Sequence, residues 1–283
     1  MSIKIYRTES NFLIFLFVVL FAGSTSAQRT QKSSYSLLNP VPAASMAEME
    51  TDRPDVTESA HTVDAGHFQF ESDLFRSVQK RVGEESTTKF FANNFYLKAG
   101  ISGTTELQLG AEPIVWQVKS EPGEELERSH GFGNFSLRLK QNFLGNKRGN
   151  FALAAMPYMR FPTSGYEDSR YEYGLIVPMQ LKLAGDWKLG FQLEADHLED
   201  EEDSGMHTEF LQSVSLSHQL IKKVDGIAES YYTYDFKSHH WSNYINAAVQ
   251  VEVSEGIKLD GGLNYGIQAD AGRSCFIGTS IRF

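Results

Sequence analysis

Hydrophobic and polar residues alternate along most of the chain after residue 66, with the period of two that is typical of β-strands. In the segment FALAAMPYMRF (151–161), Phe151 and Met159 share one face of a predicted strand, and Tyr158 and Arg160 lie on the other. We count about twelve such segments, each close to the length that crosses a bilayer at a tilt. They are 66–76, 89–100, 104–112, 132–142, 151–161, 172–184, 186–196, 207–220, 226–236, 242–254, 256–268 and 275–283. The segment 89–100 has an ambiguous phase.

The connections between these segments fall into two length classes. The brief class comprises 101–104, 144–149, 184–186, 222–226 and 254–256. The mostly longer, often acidic class comprises 79–89, 119–131, 162–170, 198–207 and 237–243, with 269–273 as a short member. Short periplasmic turns opposite longer outer loops are typical of outer-membrane barrels. The sequence therefore predicts an all-β fold, a transmembrane antiparallel β-barrel of about twelve strands over residues 66–283.

Both ends of the chain support this prediction. Residues 1–27 have the form of a cleavable signal peptide, with Lys4 and Arg7 before an apolar core at 12–22 that is too short to span a bilayer. The last segment alternates up to a terminal aromatic residue, Phe283. We expect Phe283 to be an assembly signal for the barrel-assembly machinery, and the cell outer membrane of a Gram-negative bacterium to be the location.

Residues 28–65 differ from the rest of the mature chain, because they show little alternation. Pro40, Pro42 and Pro54 exclude a regular helix, and 51–58 is dense in charge. This segment is either a disordered periplasmic leader or an ordered segment within or beneath the lumen.

Composition narrows the function classes. The formal net charge of −10 argues against nucleic acid as a partner, and the single cysteine, Cys275, excludes an internal disulfide.

Ser217 and His218 are adjacent in a strand and therefore point to opposite faces, and no other nucleophile, zinc or phosphate-binding motif occurs. The acidic loop 198–207 lacks the calcium-binding pattern. The sequence thus predicts no enzyme activity, no cofactor and no metal site.

Several stretches resemble one family. Residues 51–59 read TDRPDVTES and residues 62–71 read TVDAGHFQFE, and further stretches match at 156–165, 174–196, 261–270 and 276–283. In these motifs the chain resembles the outer-membrane transporter family labelled for the MetA-pathway of phenol degradation. The resemblance implies a transport role, and some members are encoded among genes for degrading aromatic compounds.

Strand phase predicts a set of lumen-facing side chains, because an Arg or Lys at the lipid midplane would cost about 2–4 kcal/mol. They are Glu71, Asp73, Glu106, Gln108, Arg138, Lys140, Arg160, Glu194, Asp196, Glu229 and Asp235. These groups either fill the interior as a structural network or line a solute path.

A second set is predicted to form a plug or gate, namely Asp52, Arg53, Pro54, Asp55 and Glu58. Arg53 can bind a carboxylate with two hydrogen bonds, and Pro54 fixes the local backbone. We expect Arg53 to pair with an inward carboxylate such as Glu71 or Glu106. The segment would then be either a movable gate or a permanent seal.

Together these observations predict an outer-membrane channel for passive uptake of small solutes, with hydrophobic or aromatic compounds as candidates. The expected partners are outer-membrane lipids, the barrel-assembly machinery and the solute. The alternative is a structural or surface-interaction barrel without transport.

Overall fold

The computed structural model describes residues 35–123, 125–163, 170–200 and 205–283. The predicted signal peptide and part of the acidic loop 198–207 lie outside these ranges. Within them, the only helix is a 3-10 turn at Ala43–Ser45, which is too short to cross a membrane.

Fourteen strands form one antiparallel sheet. They are β1 (Phe68–Val82), β2 (Glu85–Gly100), β3 (Thr105–Ala111), β4 (Ile114–Ser120), β5 (Glu127–Gly131), β6 (Phe135–Leu144), β7 (Phe151–Phe161), β8 (Glu172–Lys182), β9 (Trp187–Glu199), β10 (Met206–Ile221), β11 (Val224–Asp235), β12 (His240–Ser254), β13 (Ile257–Gly266) and β14 (Arg273–Arg282).

The sheet closes on itself because β1 pairs with both β2 and β14. β3 and β4 share one barrel position, since β2 pairs with β3 through residues 95–100 and with β4 through 86–92. β5 and β6 share the next position, where they pair with β4 and β3. The fourteen segments therefore make a closed barrel of 12 strands, which confirms the predicted fold.

The two faces of the barrel wall have opposite character. Large apolar side chains such as Leu137, Leu263 and Ile277 are exposed on the outside, whereas Gln108 and Lys140 are buried on the inside. This distribution suits a wall with lipid outside and polar groups inside.

The first and last strands meet at Phe68 and Phe283. Their main chains exchange two N–H to C=O hydrogen bonds, each 2.9 Å, and their rings stack with centroids 6.1 Å apart. The terminal aromatic residue therefore lies at the seam where the barrel closes. Its role as an assembly signal stays a prediction.

An irregularity in β1 and β2 explains the ambiguous phase of 89–100. Asp73 pairs with Asn94 and Phe75 with Ala92, so Leu74 and Asn93 are left between two regular ladders. Asn93 has a φ of 58°. Such a bulge shifts the alternation by one residue, so that odd positions face inward before it and even positions after it.

Two predicted outer loops, 79–89 and 119–131, were wrong in extent. β1 and β2 continue to a turn at 83–84, where Gly83 has a φ of 60°. β4 ends at Ser120 and β5 already begins at Glu127. The polar residues of these two stretches were interpreted as loops. Charged residues indicate contact with water, however, and they occur in loops and in water-exposed strands alike.

Single cysteines should report the topology of the turns. In a Cys275→Ser background, which removes the exposed native thiol, a cysteine within 198–206 should react with a membrane-impermeant reagent on intact cells. A cysteine within 144–149 should react only after the outer membrane is permeabilised, because short turns face the periplasm. Labelling of both sites on intact cells would contradict this topology.

Candidate functional site

Residues 49–65, here called the lumen segment, lie inside the barrel. The flanking residues enter and leave at one end, where Leu37 donates its N–H to Ile101 and Gly66 donates its N–H to Gly100, at 2.9 and 2.8 Å. Between these anchors the segment contacts most of the barrel wall, and Ala60 is completely buried. The segment is therefore an ordered part of the barrel interior.

Asp52 lies at the centre of a buried charge network. Its carboxylate forms an ion pair with Lys98 and lies 2.6 Å from the Lys140 ammonium group, and it accepts a 3.0 Å hydrogen bond from Gln108. Lys98 also lies 2.5 Å from Glu71. Burial opposes ionisation of Asp52, but Lys140 and Lys98 hold its pKa well below the usual range. The carboxylate thus pairs with two buried lysines at once.

Arg53 bridges two strands on either side of β14. Its guanidinium lies 2.5 Å from Asp73 on β1 and 2.6 Å from Asp260 on β13. The residue between these carboxylates in the sheet is Gly278 on β14. A Cβ at Gly278 would overlap the Arg53 guanidinium, which would then have to shift from its present position.

The expected partners of Arg53 have other roles. Glu71 pairs with Lys98, and its carboxylate accepts the N–H of Asp52 at 3.1 Å. Glu106 accepts the N–H of Val63 at 2.6 Å. Arg53 instead pairs with Asp73, which phase analysis placed inward, and with Asp260, which was not among the candidates.

The barrel wall also supplies acceptors for the irregular backbone of the lumen segment. Glu229 accepts hydrogen bonds from the N–H groups of Val56 and Thr57, at 2.9 and 2.7 Å, and from the Thr57 hydroxyl at 2.6 Å. Gln192 accepts the N–H of Glu58 at 2.7 Å. Buried main-chain donors need such partners, and here inward polar side chains replace a regular ladder.

Glu58 connects the lumen segment to β6. One carboxylate oxygen lies 2.6 Å from Arg138, and the other is buried without a hydrogen bond in the described structure. Arg138 also donates to the Tyr96 hydroxyl and stacks 3.9 Å from its ring centroid. Burial and the Asp52 carboxylate raise the pKa of Glu58 to about 7, although Arg138 acts in the opposite direction.

Raising the pH from about 5 to about 8 is expected to loosen the lumen segment at Glu58. The seated segment holds this proton more tightly than a released segment in water, because the pKa rises from 4.5 to about 7. The stabilisation is therefore complete below pH 4.5 and is lost as the pH rises through about 7. Protease added to the periplasmic side should cleave 51–59 faster at the higher pH. Glu58→Gln should flatten this dependence, and an unchanged slope in that variant would contradict it.

The second half of the lumen segment is anchored to the β6–β7 region. Asn142 donates to the Ala60 carbonyl at 2.8 Å, and Ala60 packs against Ala152 and Ala154. Beyond it, Asp64 forms an ion pair with Lys147. This half is held by close packing of small residues as well as by hydrogen bonds and an ion pair.

Four other predicted lumen residues bond to the barrel and not to the lumen segment. Arg160 pairs with Glu172 at 2.7 Å, Asp196 accepts from Tyr158 at 2.7 Å, and Glu194 accepts from Gln192 at 2.8 Å. Asp235 accepts hydrogen bonds from Lys237 and Ser238 in its own turn. The structure thus brings Glu71, Asp73, Glu106, Gln108, Arg138, Lys140 and Glu229 to the lumen segment and leaves these four apart.

Sequence reasoning missed several contact residues for identifiable reasons. Lys98 was hidden by the bulge at Asn93, which obscured the phase of its strand. Asp260 lay on the polar face of its predicted strand, so its alternation was a usable signal. Asn142 lies two residues beyond Lys140 on β6, so its alternation was also a usable signal. Lys147 gave no signal, because a turn sequence does not show which side chains reach into a lumen.

No group of three or more His, Cys, Asp or Glu within the described ranges could hold a metal ion. Residues 201–204 of the acidic loop lie outside those ranges, so the interpretation of that loop stays a prediction. His218 stacks on Trp187, with ring centroids 4.2 Å apart. Its imidazole is therefore not paired with Ser217 as a base with a nucleophile.

Comparison with known proteins shows the family. The family model described as "Putative MetA-pathway of phenol degradation" matches residues 51–283, which include the lumen segment from Thr51 onward. The chain belongs to this family. Comparison with curated protein sequences finds no match.

Two solved structures are similar in fold. The COG4313 outer membrane channel from Pseudomonas putida F1 matches with a TM-score of 0.60 at 11% identity, over 83% of this chain and 100% of that one. The beta domain of the Bordetella autotransporter BrkA matches with a TM-score of 0.50 at 13% identity, over 77% of this chain and 98% of that one. At these identities the likeness shows the fold alone. This family member is an outer-membrane β-barrel.

Proposed function

We propose that the protein is an outer-membrane channel for passive uptake of small solutes, including hydrophobic or aromatic ones, and that residues 51–58 act as its gate. The observation that carries the proposal is the contrast within the lumen segment. Ion pairs and hydrogen bonds hold residues 51–58, whereas residues 60–65 are anchored by packing as well.

Polar contacts are suited to a movable element. Water can replace the partners of Asp52, Arg53 and Glu58 once the lumen opens, because charged groups are solvated at little cost outside a low-dielectric site. Displacing apolar packing would instead expose surface that water does not stabilise. The first half can therefore move while the second half stays in place.

The solute class is proposed from the family. Membership in a family described by phenol degradation supports an aromatic solute. The polar lumen supports passive diffusion through a wetted path, and catalysis forms no part of this proposal.

A fixed seal is the second candidate. The carboxylate contacts of Arg53, at 2.5 and 2.6 Å, are short enough to hold the segment permanently. The protein would then be a structural or surface-interaction barrel with an occluded lumen.

Solute flux separates the two candidates. Full-length mature protein in liposomes should give swelling with phenol and with a small sugar, and measurable conductance in planar bilayers. Liposomes with heat-denatured protein are the control. Absence of flux for both solutes, at acid and at alkaline pH, would overturn the channel proposal in favour of the seal.

A further inference from the structure

A cavity lies directly beneath the gate, at the end of the barrel where the short turns lie. Residues 53–55 form its ceiling, and its walls come from the ends of β8 to β13. Its cavity volume is about 80 Å³, and it opens to solvent.

Lys258 on β13 lines this cavity with 7% of its surface exposed. Its ammonium group makes no hydrogen bond or ion pair with any described residue. The cross-strand neighbour of Lys258 on β12 is Glu252, but its carboxylate lies 3.7 Å from the Lys223 ammonium group. The cross-strand neighbour on β14 is Ser280, whose hydroxyl is buried and makes no hydrogen bond. An ammonium group that faces a cavity without a partner, on a residue largely withdrawn from solvent, favours an anion at this position.

The other cation on the wall of the cavity already has its counter-charges. Lys188 lies 3.2 Å from Glu50, and the Asp225 carboxylate acts on the same ammonium group. Glu50 also acts on Lys258, but from beyond ion-pair distance. Lys258 is therefore the cation of this cavity that lacks a carboxylate of its own.

Asp55 and Glu58, the two acidic residues at the ceiling, do not provide a counter-charge for Lys258. Burial and Glu229 raise the pKa of Asp55 well above its ordinary range, and burial raises that of Glu58. A carboxyl group with a raised pKa carries less negative charge near neutral pH, which weakens its repulsion of an anion below. Pro54 and Ile227 add a small apolar surface beside these polar groups.

We propose that this cavity binds a small organic carboxylate, with its anionic end at Lys258 and its apolar part against Pro54 and Ile227. The proposal rests on the proposed function in one respect, since it makes the cavity the last site that a solute contacts before the periplasm. Binding itself does not require that the gate move, because the cavity lies on the periplasmic side of the gate.

Benzoate and its neutral analogue benzamide provide a direct test. Calorimetric titration of the full-length mature protein in detergent should show benzoate binding about tenfold more tightly than benzamide, because only benzoate can pair with the ammonium group. Lys258→Gln should reduce benzoate affinity to the level of benzamide, and Lys258→Arg should retain it. The matched control is Lys222→Gln, which removes an exposed lysine from the turn between β10 and β11 at the same end of the barrel.

Equal affinity for the two ligands in the unmodified protein would overturn the proposal, as would undiminished benzoate binding by Lys258→Gln. If Lys258→Gln does not assemble, the comparison of benzoate with benzamide and the Lys258→Arg variant still decide. Flux separates this proposal from the channel function. If benzamide crosses the barrel while Lys258 has no effect on benzoate binding, the site fails and the channel stands. If neither ligand crosses but benzoate binds through Lys258, the channel fails and the site stands.

Discussion

Arg53→Ala is expected to increase solute flux strongly. The substitution leaves Asp73 and Asp260, which flank Gly278, without the cation they share. Breaking a buried ion pair in this way costs about 3–5 kcal/mol if nothing moves. Entry of water relieves that cost, and residues 51–58, which no longer bridge β1 and β13, can leave the wall to admit it. Conductance and liposome swelling measure the change.

The control for this prediction uses the same carboxylate. Arg76 lies 2.8 Å from Asp73 but forms no hydrogen bond or ion pair with the lumen segment, and 28% of its side chain is exposed. Arg76→Ala should therefore leave flux near that of the unmodified barrel. Unchanged flux in Arg53→Ala together with a lowered melting temperature would identify the segment as a fixed seal. If neither flux nor melting changes, the charge cluster holds nothing in place.

Asp52→Asn is expected to destabilise the seated lumen segment more than any other single isosteric change in it. The amide cannot neutralise Lys98 and Lys140, whose side chains are 3% and 1% exposed. Loss of one partner of a buried charge network costs about 3–5 kcal/mol. Lys98 keeps Glu71, so we expect the effect to lie at the lower end of this range. Protease sensitivity of 51–59 and the temperature at which the barrel loses heat-modifiable mobility measure the loss.

Asp55→Asn is the matched substitution. The pKa of Asp55 is raised by burial and by Glu229, so an amide resembles the form that this residue already favours. It should leave the segment as protease-resistant as in the unmodified protein. Equal losses in the two variants would show that charge at position 52 is not what holds the segment.

The barrel itself could be predicted from the sequence because lipid imposes a simple rule on every strand. Leu263 and Ile277 must face outward, and Gln108 and Lys140 must face inward, so a period of two identifies the wall. The rule fails where one residue is inserted, as at Leu74 of β1 opposite β14, and where polar hairpins rise above the bilayer. In both places, alternation no longer reports contact with lipid.

The partners of the lumen segment were less accessible to sequence reasoning. The pattern Asp52-Arg53-Pro54-Asp55 indicated that charges would be satisfied, but a charge does not specify which of many inward carboxylates it will meet. That choice depends on the depth at which the segment lies and on the stagger of the strands. Arg53 meets Asp260 across 207 positions of sequence, and the small residue Gly278 between the two strands makes the contact possible.

The position of Arg53 over Gly278 also has a consequence for the order of events during assembly. Asp73 belongs to the first strand, Gly278 to the last and Asp260 to the strand before it, so the three come together only when the first and last strands pair. Until then the guanidinium has no complete binding site. In an open sheet, each edge offers Arg53 only one of the two carboxylates. The N-terminal segment, although made first, acquires its final seat last. Its docking therefore marks a barrel whose seam has already closed.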